Sequence, residues 1–223
     1  MWFEQAFAVC AKDLRIEFRE RTAVSAVVLF SVTSLVVLGF ALAGNNLARE
    51  VSAPLLWVVM FYAAFSGLAH VFTVEEDGGT SMTLQLAADP TAVYFGKLLY
   101  NLALLSCVAL IAVPLFLVIS AVPVPYPWKL IAVVSGGSFA LASAATMTGV
   151  IVAKARGRGA LFGALGFPMV LPLLIMAVVA TRNALNPESM AWEPLRDVGG
   201  LIAYGTMMGA ASFLLFPYVW ESN

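Results

Sequence analysis

Charge is what this chain has least of. Asp, Glu, Lys and Arg make up 11% of its 223 residues while 61% are hydrophobic, too little polar surface to cover a soluble domain of this size. The apolar runs near 23–43, 53–74, 94–121, 129–153, 159–181 and 198–220 read as free of charge, with Lys97 and Lys129 counted at the loop ends. A helix rising about 1.5 Å per residue needs roughly 20 apolar residues to cross the hydrocarbon core. The predicted fold is therefore an all-α integral membrane protein with six transmembrane helices. Clean spans argue against an ion-coupled pump, because relays of protons or ions need ionisable groups inside the membrane. Any work done by such a bundle has to be powered from outside it.

Histidine and cysteine are nearly missing too. His70 stands alone, and with only Cys10 and Cys107 beside it no metal-ligand spacing exists. Cys10 falls in a predicted cytoplasmic segment and Cys107 inside the third span, so no disulfide is expected between them. Two readings of His70 stay open: an axial ligand to haem iron, or a side chain hydrogen-bonded within the bundle. Ser138 and His70 are the one nominal nucleophile and base, and no G-x-S-x-G elbow surrounds the serine. Asp77-Gly78 lacks the further acids of a membrane phosphotransferase site, and no G-x-x-x-x-G-K-[ST] phosphate loop exists. The expectation is a chain with no catalytic residues and no metal, which does not hydrolyse nucleotide by itself.

The basic residues lie in short loops and form no single face, which argues against nucleic acid as a partner. Lys12, Arg15, Arg19, Arg21, Lys97, Lys154, Arg156 and Arg158 fall on one side of the membrane, against Arg49, Lys129, Arg182 and Arg196 on the other. That asymmetry puts both termini in the cytoplasm, as in a multi-pass protein of the bacterial inner membrane. Ala41-Leu42-Ala43 resembles a signal-peptidase site, but the apolar stretch before it is too long for a signal peptide and follows a long charged segment.

That charged segment, residues 1–22, repeats Phe3, Phe7, Cys10, Leu14 and Phe18 at helical spacing, with Lys12, Asp13, Arg15, Arg19 and Glu20 on other faces. It reads as an amphipathic helix lying in the cytoplasmic interface plane, or alternatively packed on a soluble partner. Residues 23–223 then form the six-helix transmembrane bundle. Small residues recur in its fifth and sixth spans (Gly157, Gly159, Gly163, Gly166, Gly205 and Gly209), suited either to packing within the chain or to a subunit interface. Pro114, Pro168, Pro172 and Pro217 favour bends. The loop 182–197 has room for a short interfacial helix anchored by Trp192.

The most individual polar segment is 75–90. Glu75, Glu76 and Asp77 are followed by Gly79, Thr80, Leu84, Leu86, Asp89 and Pro90, with no basic residue among them. Anionic headgroups would repel three consecutive carboxylates, so the segment suits a basic protein surface better than lipid. Thr80 or Ser81 is placed to cap a short helix, and Asp89-Pro90 reads as an N-cap and first-turn proline opening the third span. A solvated acidic turn is the plainer alternative.

Taken together, the opening run 12–19, the segment 75–86 and Gly96-Lys97-Leu98-Leu99 resemble ABC exporter permeases, and within them the haem exporter protein B family of the cytochrome c maturation system. Glu75 and Asp77, Gly79-Thr80, Leu84 and Leu86, Pro90 and Gly96-Lys97 match the family pattern. The resemblance implies a separate ABC ATPase subunit that carries ATP and Mg, docks under 75–90 and drives helix movement. It also implies a haem-handling membrane protein as a second partner, with haem handled by the complex and no cofactor resident on this chain. A permease for a drug, lipid or polysaccharide and a non-transporting scaffold are the rival readings.

Overall fold

The computed structural model describes residues 2–20, 22–41, 51, 53–65, 79, 81–120, 123–154, 158–186 and 193–221. The helices are α1 (Trp2–Glu20), α2 (Thr22–Ala41), α3 (Ala53–Phe65), α4 (Ser81–Ala87), α5 (Pro90–Ser120), α6 (Pro127–Lys154), α7 (Arg158–Leu185), α8 (Pro194–Asp197) and α9 (Gly199–Glu221). No strand occurs among the described residues. Proline opens α5, α6 and α8, where its missing N–H costs nothing because the first turn of a helix has no acceptor for it. At α5 the cap is explicit: Asp89 Oδ1 accepts the Thr91 N–H at 2.8 Å and the Thr91 hydroxyl at 2.5 Å. Pro114, Pro168, Pro172 and Pro217 all sit inside helices that continue through them.

The span count differs from the sequence expectation. Among the described residues, four helices are long and apolar enough to cross a membrane (Pro90–Val118, Pro127–Gly149, Gly166–Leu185 and Pro194–Trp220), and there are five if Trp2–Arg19 and Val24–Phe40, bent by 67°, make one broken span. Two expected spans account for the difference. The first is joined to α1 through that bend, and α3 is described only as far as Phe65, the remainder of the run 53–74 lying outside the described residues.

α6 is the axis of the bundle, with 78% of its span buried against 39% for α5 and α7 and 17% for α9. Its sequence explains this place. Gly136, Gly137, Ala140, Ala142, Ser143, Ala144 and Ala145 keep it thin, so neighbours approach closely on several sides. At Gly137 a Cβ would lie 2.0 Å from Trp57 Cη2 of α3, and at Gly205 of α9 a Cβ would lie 2.7 Å from Phe139 Cδ1. Gly166, Gly205 and Gly209 all face residues of their own chain, which favours packing within the chain for these three. α8 is pinned to the end of α7 by Asn183, whose Nδ2 donates to both carboxylate oxygens of the buried Asp197 at 3.1 and 3.2 Å. Helix α7 runs to Leu185, so Arg182 and Asn183, expected in a loop, are helical; Trp192 lies outside the described residues.

Candidate functional site

The segment 75–90 is described from Gly79 and again from Ser81; Glu75, Glu76, Asp77 and Thr80, with His70, lie outside the described residues. Gly79 is exposed and has φ +64°, a left-handed conformation that favours glycine. α4 follows as a short helix with two unlike sides. Leu84 packs toward a cluster of Val93 and Tyr94 from α5, Met147 from α6, and Phe216 and Trp220 from α9. One residue on, Gln85 Nε2 donates to the Trp220 carbonyl at 2.5 Å. Leu86 points away and is 87% exposed. The two leucines singled out together thus have opposite places: Leu84 anchors α4 to its own bundle, and Leu86 is presented to whatever lies beyond.

That cluster ties three long helices at one end. Phe216 and Trp220 stack at 5.4 Å, Phe216 lies 5.5 Å from the Tyr94 ring, and the Tyr94 hydroxyl donates to the Gly209 carbonyl at 3.1 Å. Helix α4 thus touches, through Leu84 and Gln85, the cluster in which α5, α6 and α9 meet. Asp89 and Pro90, the last two residues of the segment, form the start of α5 and leave no slack between α4 and the span. The Asp89 carboxyl is held below its ordinary value by the Thr91 hydroxyl first and the Thr91 amide second. Since its pKa is lowered on folding, the cap is intact above the ordinary carboxylate range and is lost only as pH falls through the lowered value.

A second constellation was not legible as such. The spans are not free of charge: Lys97 lies two turns inside α5, is 0% exposed, and pairs with Asp13 Oδ2 of α1 at 3.0 Å. It belongs to the helix and not to a loop end because α5 already begins at Pro90. Helix α1 packs on the bundle by a face other than that of its phenylalanines. Ala6, Val9, Cys10 and Asp13 are buried, whereas Phe3, Phe7 and Phe18 are 63%, 69% and 74% exposed. The reason is steric. At Gly96 a Cβ would lie 2.7 Å from Val9 Cβ and 2.8 Å from the Ala6 carbonyl, a gap only the small-residue face of α1 can fill. Glu17 completes the contact, accepting the Val24 N–H at 2.7 Å and the Tyr100 hydroxyl at 3.4 Å. Deeper in α5, Asn101 Nδ2 donates to Thr146 Oγ1 of α6 at 2.7 Å, so polar groups continue from α1 through α5 to α6.

Two pieces of the sequence resemblance, 12–19 and 96–99, are thus in direct contact, and Leu84 of the third packs against the same helix a few residues earlier. A searchable signal existed: a lysine inside a helix, seven residues after its opening proline, needs a carboxylate, and Asp13 lies on the small-residue face of α1. Among the described residues no group of three His, Cys, Asp or Glu is placed to hold a metal ion, and both cysteines are free thiols. The arrangement is suited to mechanical transmission.

Comparison with protein families gives a match over nearly the whole chain. The profile of the CcmB protein family, which is the haem exporter protein B family, covers residues 4–213 and so takes in α1, α4 and the whole bundle up to Phe213. No curated protein matches the sequence.

Proposed function

The chain belongs to the CcmB family, the permease component of an ABC-type haem exporter in cytochrome c maturation, and from that premise we propose that it converts ATP hydrolysis on a partner subunit into helix movement. In this reading the ATPase docks on 75–90 at the cytoplasmic side of the bacterial inner membrane, with both termini on that side. Leu86 enters a hollow on the partner. Leu84 and Gln85 pass the displacement to Trp220 and to the head of α5. The complex uses the stroke to hand haem on to its chaperone together with a haem-handling membrane protein. Glu75, Glu76 and Asp77 supply the charge that a basic docking surface would recognise.

The observation that carries the reading is the two-sided character of α4: bonded to α9 on one side, and bearing an 87% exposed leucine on the other. Leu86 offers apolar surface that a partner's pocket would bury. Reversing Glu75, Glu76 and Asp77 to Lys together is expected to release the ATPase from the purified complex or to abolish its dependence on the permease. Undiminished co-purification with unaltered ATP turnover would remove the coupling role from this segment. Loss of c-type cytochromes in a strain lacking the gene separates the haem-pathway assignment from a permease for a drug, lipid or polysaccharide.

A further inference from the structure

The outer face of α1 carries a feature that coupling does not use. Lys12, Arg15 and Arg19, spaced three and four apart, share one side of the helix and frame a hollow of about 450 Å³ floored by Ala8 and Ala11. Two acids of the same helix are turned away from it. Asp13 faces Lys97, and Glu17 faces the Val24 amide and the Tyr100 hydroxyl. Lys12 contacts Asp13 at 3.2 Å but keeps 40% of its side chain exposed. Glu4 is exposed one turn before Ala8, so the outer side of α1 sets three cations against this one described carboxylate and stays net basic. Beside the cations runs an apolar edge of Trp2, Phe3, Phe7 and Phe18, between 42% and 74% exposed. The helix meets the apolar α2 at a bend of 67°, which lays it across the direction of that helix.

We propose that this face of α1 is a binding site for anionic phospholipid, with Lys12, Arg15 and Arg19 holding the headgroup phosphate and the aromatic edge set among the acyl chains. Two adjoining requirements select that occupant. Guanidinium groups one turn apart fit phosphate oxygens, and exposed aromatics in the next sector need hydrocarbon. An acidic protein surface answers the first requirement and not the second. Alanine at positions 8 and 11 leaves the room between the basic side chains that a headgroup needs.

The test uses the full-length protein reconstituted in bilayers, without an ATPase, so its outcome is independent of the coupling reading. Association of spin-labelled phosphatidylglycerol is compared with that of spin-labelled phosphatidylcholine. Each basic residue at an anionic surface is worth about fivefold in binding. Wild-type protein is expected to prefer phosphatidylglycerol by about fivefold or more, a preference that shrinks as salt shortens the screening length to a few ångströms. The triple variant Lys12→Gln, Arg15→Gln, Arg19→Gln is expected to lose it. The pair Arg15→Lys, Arg19→Lys, which keeps the charge and guards against a folding artefact, is expected to retain most of it. Equal association of the two lipids with wild-type protein, as an acidic protein partner for this face would give, or an undiminished preference in a folded triple variant, would overturn the proposal.

Discussion

Lys97→Met is expected to destabilise the protein by about 3–5 kcal/mol, the cost of leaving the partner of a buried ion pair alone. The side chain of Lys97 is wholly buried and that of Asp13 is 5% exposed, so water cannot solvate the carboxylate that remains. Lys12 stays at 3.2 Å from Asp13, but its 40% exposure means solvent screens much of that attraction. The loss falls on the contact between α1 and α5, where Ala6, Val9 and Gly96 bring the two helices close. Removing the second charge as well, with Asp13→Leu, is expected to recover most of the stability, because a hydrophobic pair of similar volume carries no desolvation penalty. Thermal unfolding of the single and double variants in detergent checks this. A single variant as stable as wild type, or a double variant worse than the sum of its parts, would show that the pair does not hold α1 to the bundle.

The second large effect is steric. Gly137→Ala places a methyl group 2.0 Å from Trp57 Cη2 and 2.8 Å from Cζ2 and Cζ3. Overpacking of this kind costs about 1–3 kcal/mol when neighbours can shift. Here the indole is 1% exposed and its Nε1 donates to Thr181 Oγ1 at 2.7 Å, so moving the ring also breaks a buried hydrogen bond worth about 1 kcal/mol. The joint of α3, α6 and α7 is expected to loosen, with the fraction of folded protein in membranes falling accordingly. Trp57→Phe added to Gly137→Ala is expected to restore part of the loss. The smaller ring clears the methyl, and Thr181 keeps its bond to the Ala177 carbonyl at 2.8 Å. Additive costs in that double-mutant cycle would mean that the two positions do not press on each other.

Both sites show where reading the chain in one dimension stops. The helical membrane class, the Asp89-Pro90 start of α5 and a short helix before it follow from local rules: hydrophobic length, capping chemistry, the geometry of proline. The face by which α1 packs does not. Periodicity marked Phe3, Phe7 and Phe18 as an apolar face, which stays exposed, and it carried no sign of the packed face, set by which residues are small enough to meet Gly96. Likewise Lys97 looked like the end of a loop until the start of α5 at Pro90 placed it within the helix. Leu84 and Leu86 are chemically identical and differ only in what surrounds them, which no spacing rule supplies. Six spans followed from counting apolar runs; among the described residues four helices pass that length, since counting does not register the bend between α1 and α2 and the run 53–74 is described only as far as Phe65.

The central claim is that α4 receives the partner's motion through Leu86 and delivers it through Leu84 and Gln85. Burying a leucine side chain is worth about 1.5–3 kcal/mol, which corresponds to about tenfold or more in affinity. The most direct test is steady-state ATP turnover by the purified complex carrying Leu86→Glu, a substitution on the exposed side of α4 that leaves the fold of the bundle untouched. The account expects permease-dependent turnover to fall about tenfold or more while the variant remains folded in the membrane. Turnover equal to wild type would contradict it.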